Sequence, residues 1–157
     1  MLRIFVDADS FPLKAREMVL RFSARLGIKT VFAANRAIPG IESELCSVEI
    51  CPMEEGAADN YIAEHAMPGD LALTRDLPLA ERLVEAGIRV LDDRGRVFTN
   101  ENIRELRSLR DFTVGLAESG LGIQRTASYG RKELNNFANS LDSELTRLKK
   151  QDPPISK

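Results

Sequence analysis

Short, almost wholly apolar runs alternate along this chain with longer stretches in which apolar residues recur every three or four positions. The first run, Leu2-Arg3-Ile4-Phe5-Val6, ends at Asp7 and predicts a strand over 2–7. Ala15, Met18, Val19, Phe22 and Leu26 follow at helical spacing, with Pro12 suited to the first turn and Gly27 to the stop. Further strands are predicted at about 28–34, 48–51, 71–74 and 88–91. Between them lie a loop or short helix containing Pro39-Gly40, a helix over 57–66 closed by Pro68-Gly69, and a helix opened by Pro78 that turns Leu79, Leu83 and Val84 inward and stops at Gly87. Five strands alternating with helices of this length imply βαβ units, and hence an α/β fold with a mostly parallel sheet.

Beyond the fifth strand the pattern is helical only. Thr99 is a candidate N-cap for a helix through Ile103, Leu106, Leu109 and Phe112. Gly115, Gly120, Gly122 and Gly130 mark a flexible connection. Leu134, Phe137, Ala138, Leu141, Leu145 and Leu148 then form the clearest amphipathic stripe in the chain, expected to cover one face of the sheet as an extra C-terminal helix. Residues 151–157 read as a loose tail.

Composition narrows the class. The chain has 157 residues, 43% hydrophobic and 29% charged, enough for one globular domain with its own core. No apolar stretch approaches the roughly 20 residues of a membrane span, and Met1-Leu2-Arg3 leads straight into a strand, so a cytoplasmic protein without a membrane partner is expected. Two cysteines, Cys46 and Cys51, and one imidazole, His65, give zinc no plausible ligand set. His65 reads as a structural residue near a helix end.

A net charge of −2 argues against a protein that coats nucleic acid, but the charge is unevenly divided. Residues 1–93 carry 10 Lys and Arg against 16 Asp and Glu, a balance of −6, and residues 94–157 carry 12 against 8, a balance of +4. An acidic pocket with a basic neighbour fits this division. Arg104, Arg107 and Arg110 read as the solvated face of a helix.

No phosphate-cradling glycine loop and no nucleophile elbow occurs in the chain, which leaves carboxylates as the reactive resource. Asp7-Ala8-Asp9 stands where the first strand turns into a helix, and Asp76 stands in the same context after the fourth. In open α/β sheets that end of a strand is where ligands bind. Asp59, in the first turn of its helix, adds an acid from a third element. Hard divalent cations take oxygen ligands and keep several waters, and a pair of ions about 3.5–4 Å apart can drive phosphodiester hydrolysis. Asp7, Asp9, Asp59 and Asp76 are therefore the candidate catalytic and Mg²⁺ or Mn²⁺ ligands. Each has a structural alternative: Asp9 and Asp76 as helix caps, and Asp59 at a favourable helix N-terminus. Asp70, after Pro68-Gly69, reads as a turn residue. Asn35, Arg36 and Arg75, at or beside strand ends, are candidate substrate contacts for RNA or DNA.

At these positions the chain resembles a family. Val6-Asp7-Ala8-Asp9 with Pro12, Ala57-Ala58-Asp59 with Ile62, Glu64-His65-Ala66, Pro68-Gly69-Asp70-Leu71 and Thr74-Arg75-Asp76-Leu77-Pro78-Leu79-Ala80 carry the likeness in the first half. Arg94-Gly95, Thr99, Glu101-Asn102-Ile103, Arg110-Asp111-Phe112 and Phe137-Ala138-Asn139 extend it through the second. All look like the bacterial YaiI/YqxD family. The resemblance implies a three-layer PIN-like fold over residues 1–150 and an acidic Mg²⁺ or Mn²⁺ site for cleaving RNA or DNA. Fold-level analogy does not itself establish activity. The chain departs from the family pattern in three places: Asp9-Ser10-Phe11-Pro12 stands where relatives have Asp-Ala-Cys-Pro, Gly56-Ala57-Ala58-Asp59-Asn60 where they have Asp-Ala-Ala-Asp-Asp, and the third lies at the end of the fifth strand. Asp92-Asp93 replaces Asn-Pro before Arg94-Gly95, either returning acid to the end of the fifth strand or forming a turn.

Two rival readings remain. Asp7-x-Asp9 with Thr74 and Asp92-Asp93 also resembles a haloacid-dehalogenase-type phosphatase with Asp7 as nucleophile. That chemistry uses a lysine between the Thr and the acidic pair, and residues 74–93 contain arginines at 75, 82 and 89 but no lysine. The other rival is an inert PIN-like module that binds nucleic acid or protein, which the two missing acids favour.

Overall fold

The computed structural model describes residues 1–41, 43–54, 56–118 and 129–151, with side chains described through Leu109 and again from Tyr129. Its elements run β1 (Arg3–Asp7), α1 (Leu13–Leu26), β2 (Lys29–Ala34), β3 (Cys46–Ile50), α2 (Ala57–His65), β4 (Leu71–Leu73), α3 (Leu77–Glu85), β5 (Arg89–Leu91), β6 (Val97–Phe98), α4 (Asn100–Glu118) and α5 (Arg131–Gln151). The described strands form one sheet of order β3-β2-β1-β4-β5-β6, parallel except where β6 pairs antiparallel with β5.

The fold is three-layered because the central strands are apolar on both faces. Ile4, Val6, Leu71, Leu73 and Leu91 face one way and pack with Val19 and Phe22 of α1 and Phe137, Leu141 and Leu145 of α5. Phe5, Ala72 and Val90 face the other way, against Ile62 of α2, Leu79 and Leu83 of α3 and Ile103 of α4. The amphipathic stripe of α5 thus covers one face of the sheet, as its spacing predicts.

The sixth strand is not among the five that the pattern predicts. Asp92 Oδ1 accepts from the backbone N–H groups of Arg94 and Arg96, and Gly95 takes φ +88°, so the chain reverses and lays Val97-Phe98 along β5. Two residues carry too little periodicity to be recognised as a strand. Gly115 lies inside α4 rather than in a connection. One interior glycine costs a helix only about 1 kcal/mol, and Leu116, Ala117 and Glu118 are good helix formers. The connection expected at Gly120 and Gly122, and the tail beyond Gln151, lie outside the described residues. No helix among the described residues is long and apolar enough to cross a membrane.

Topology selects the functional end of the sheet. From β1 the chain moves outward through α1 to β2 and β3, then crosses back through α2 to β4 on the other side of β1. The carboxyl ends of β1 and β4 therefore flank the point where strand order reverses, which leaves a crevice between diverging connections.

Candidate functional site

Parallel pairing sets Val6 of β1 opposite Leu73 of β4, so the next residues, Asp7 and Thr74, emerge side by side. Asp7 is 4% exposed. Its Oδ2 accepts from Thr74 Oγ1 at 2.8 Å and from Ser10 Oγ at 2.9 Å, which leaves Oδ1 without a hydrogen bond among the described residues. Thr74 Oγ1 in turn accepts from the backbone N–H of Asp76 at 3.0 Å. One threonine thereby ties the two strand-end acids together.

The other acids are held from neighbouring elements. Asp76 is the N-cap of α3, with Oδ1 accepting from Leu79 N at 3.1 Å. Its predicted capping role and a place in the cleft are compatible, because one carboxylate oxygen suffices for the cap. Asp9 does not cap α1, whose N-cap is Pro12 with no side-chain hydrogen bond; Asp9 Oδ2 instead accepts from Asn35 N at 3.0 Å and joins the β1 turn to the end of β2. Asp59 sits in the first turn of α2 behind Gly56, whose φ of +79° admits the tight approach to the helix.

Asp7, Asp9, Asp59 and Asp76 line one cleft of about 450 Å³ together with Ser10, Asn35 and the lip residues Pro52, Met53 and Glu54. No Lys or Arg is among its described lining residues. Burial pushes the Asp7 carboxyl above the usual carboxylate range, opposed by the Thr74 and Ser10 hydroxyls and reinforced by the charges of Asp76 and Asp9. Burial, followed by the charges of Asp7 and Asp76, pushes Asp59 up to about 6, with Arg82 opposing. The cleft therefore gathers negative charge that Arg82, outside its described lining, offsets only in part.

That excess charge sets a stability prediction. An acid whose folded-state pKa exceeds its ordinary 3.8 adds stability that is complete below the ordinary value and is lost as pH rises through about 6. At about 1.36 kcal/mol per unit, and allowing for screening by water in the open cleft, ionised Asp59 costs the fold about 1–2 kcal/mol at pH 7.5. Asp59→Asn is expected to raise Tm by about 3–6 °C at pH 7.5 and to leave it unchanged at pH 4. Equal shifts in melts at the two pH values would remove the electrostatic account.

The remaining residues singled out by the sequence are dispersed. Asn35 lines the cleft, whereas exposed Arg36 does not. Arg75 turns towards the end of β5, where its Nε lies 3.5 Å from Oδ2 of Asp93, a carboxylate only 2% exposed. Asp92 is the turn residue, and both it and Asp93 are buried. Asp70 is more than a turn residue: it is buried, pairs with Arg3 at 2.8 Å and accepts from Met67 N. His65 donates from Nδ1 to Tyr61 O at 2.8 Å and stacks on the Tyr61 ring. Cys46 and Cys51 are free, buried thiols. Glu54 joins the site without having been singled out by the sequence, and Ser10 and Thr74, which the sequence marks only within resemblances, join it through Asp7. Ser10 follows Asp7 by three positions, the spacing of a turn contact, but the role of Thr74 depends on register across two strands.

The donor set is all oxygen, which suits a hard cation and not zinc. Among the described residues, however, no group of three His, Cys, Asp or Glu side chains is placed to hold a metal ion. The arrangement fits a cation held through one or two carboxylates and otherwise by water, as Mg²⁺ commonly is. It does not fit an all-protein cage. A phosphatase nucleophile at Asp7 gains no support, since no Lys or Arg to hold a phosphate is among the described lining residues of the cleft.

Comparison with known proteins finds relatives that match nearly the whole chain. The chain is 43% identical over 150 residues to a UPF0178 protein of Treponema denticola, covering 96% of each. It is 44% identical over 154 residues to a UPF0178 protein of Myxococcus xanthus, covering 97% of this chain and 99% of that one. No solved structure matches it significantly. The model of the family described as "Uncharacterized BCR, YaiI/YqxD family" matches residues 5–147, and the chain belongs to that family.

Proposed function

We propose that the cleft is the centre of a divalent-metal-dependent nuclease acting on RNA or DNA phosphodiesters. The observation that carries this reading is the gathering of Asp7, Asp9, Asp59 and Asp76 in one cleft at the carboxyl ends of adjacent parallel strands, with no Lys or Arg among the described lining residues. A fold does not concentrate like charge at a switch point without cost, and the raised carboxyls of Asp7 and Asp59 record that cost. Mg²⁺ or Mn²⁺ bound there would supply an activated water and stabilise the leaving oxygen.

The chain's own residues divide the remaining work. Asp7 and Asp76 are the principal ligands, each with one oxygen held by a hydrogen bond to the protein, and the Asp76 carboxyl also lies within hydrogen-bond reach of Asp59. Ser10 and Thr74 orient Asp7, as outer hydrogen bonds commonly orient metal-binding carboxylates. Asp9 and Asp59 act as further ligands or water-orienting bases. Asp59 reaches the same cleft from the first turn of α2, where a carboxylate serves to accept a proton from water. The Asn35 side chain, which makes no hydrogen bond among the described residues, is available to substrate.

The absence of a three-ligand group among the described residues favours a second reading, an inert nucleic-acid or protein binding module. Mn²⁺ titration of the wild type and Asp7→Asn, followed by incubation with labelled single-stranded oligonucleotides in Mn²⁺, Mg²⁺ or EDTA, separates the two. Asparagine preserves an acceptor for Ser10 and Thr74, so the variant is expected to fold while losing Mn²⁺ binding and cleavage. Cleavage that survives EDTA or the substitution would sink the nuclease reading, and oligonucleotide binding without Mn²⁺ uptake would establish the module.

A further inference from the structure

We propose a second site, a groove between α1 and α5 that holds the phosphodiester backbone of a single-stranded nucleic acid. It goes beyond the reading of the acidic cleft and holds even if that cleft is inert. The groove has a volume of about 330 Å³ and is lined by Lys14, Glu17, Met18 and Arg21 of α1 and by Arg131 and Leu134 of α5. Lys14, Arg21 and Arg131 are exposed, and none of the three is ion-paired among the described residues. Among the described lining residues, three cations face one carboxylate, that of Glu17, over an apolar floor of Met18 and Leu134. Such a balance attracts an anion, and the apolar floor does not demand a hydrated partner.

Packing of the two helices places the groove at the functional end of the sheet. Phe11, just before α1, meets Phe137 near the start of α5 with ring centres 5.6 Å apart, and Lys149 near the end of α5 donates to Leu26 O at the end of α1. The helices therefore run parallel, with both N-termini beside the groove. The α1 dipole adds positive potential there, since α1 has neither a side-chain cap nor an acid in its first turn, whereas Glu133 in the first turn of α5 accepts from Gly130 N and offsets the dipole of that helix. Lys14 follows the cleft residue Asp9 by five positions, and Tyr129, just before α5, donates from its hydroxyl to Asp93 O at the end of β5. The cations thus open towards the same end of the sheet as the cleft.

The spacing selects a chain of phosphates over a single one. Lys14 and Arg21 are seven residues apart on one helix, about 10 Å along its axis, too far to grip one phosphate together. The acidic cleft also needs such a neighbour if any polyanion is to approach it. Four clustered carboxylates repel a phosphodiester, and a nearby cationic track offsets that repulsion and steers the strand.

The test is fluorescence anisotropy with a labelled single-stranded oligonucleotide in EDTA, at several salt concentrations. Wild type is expected to bind at low salt, with affinity falling linearly in log salt. Arg21→Glu with Arg131→Glu is expected to bind at least about tenfold more weakly, with a salt slope smaller by about 0.7 for each phosphate that the protein no longer neutralises. Both positions are exposed, so melting curves of the double variant should match wild type, and Arg21→Gln with Arg131→Gln, which removes charge without reversing it, should fall between. Equal affinity of wild type and double variant, or no binding by wild type at low salt, overturns the proposal. So does binding to anionic phospholipid vesicles, but not to the oligonucleotide, that the reversal removes. Mn²⁺ titration run in parallel reports the cleft alone: a wild type that takes up no Mn²⁺ yet binds the oligonucleotide would defeat the nuclease reading and leave the groove standing.

Discussion

Gly95→Ala is expected to lose about 2–5 kcal/mol of stability and to lower Tm by roughly 10 °C. Gly95 holds φ +88° in the turn between β5 and β6, a region that costs an L-residue about 1–2 kcal/mol. A Cβ there would stand 2.6 Å from Asn136 O, 2.9 Å from Asn136 C and 2.8 Å from Ser140 Oγ. Two of these atoms are backbone of α5 and cannot rotate away, and Ser140 Oγ is held by its own 2.7 Å hydrogen bond to Gly95 O. Overpacking of this kind adds about 1–3 kcal/mol. Gly69→Ala is the control, because Gly69 has φ +102° but no atom within 4 Å of the new methyl. Chemical denaturation should show the smaller loss for Gly69→Ala. Equal losses would mean that the close approach of α5 to the turn contributes nothing.

Close approach at Gly95 also shows what a one-dimensional reading can reach. Arg94-Gly95 is visible as a motif, but the reason for its glycine is a helix 41 residues away in sequence, seated against the turn. The strands β1, β2, β4 and β5 are readable because a parallel strand buried on both faces is an unbroken apolar run, and the helices because their buried stripes repeat. Asp7, Asp9, Asp59 and Asp76 are readable because a strand-end acid followed by a helix start is a local pattern. Whatever depends on the partner strand or helix is not. The buried pairing of Asp70 with Arg3 spans 67 positions. The direction of Arg75 is decided by Asp93 on the next strand, and the cationic groove exists only because α1 and α5 lie parallel.

Thr74 belongs to that second class, and Thr74→Val is expected to cost about 2–4 kcal/mol although valine matches threonine in shape. The hydroxyl donates to the buried carboxylate of Asp7 at 2.8 Å and accepts from Asp76 N at 3.0 Å, in a residue with no exposed surface. A hydrogen bond to a charged group contributes about 1.5–3 kcal/mol, and the amide of Asp76 would lose its partner as well. Leu71 and Leu73 on the same strand would be untouched, so the loss should come without any change in core packing. Ser10 would remain as a side-chain donor to Asp7 Oδ2, and the carboxylate would be freer to turn. On the metal-centre reading, that loss of orientation lowers Mn²⁺ affinity about 10–100-fold, the usual cost of removing an outer hydrogen bond from a ligand. Thr74→Ser restores the hydroxyl and should recover Mn²⁺ affinity while leaving a small deficit in stability from the missing methyl. Mn²⁺ affinity that is equal in Thr74→Val and wild type would show that the hydroxyl supports the fold alone, and that Asp7 reaches any ligand without its help.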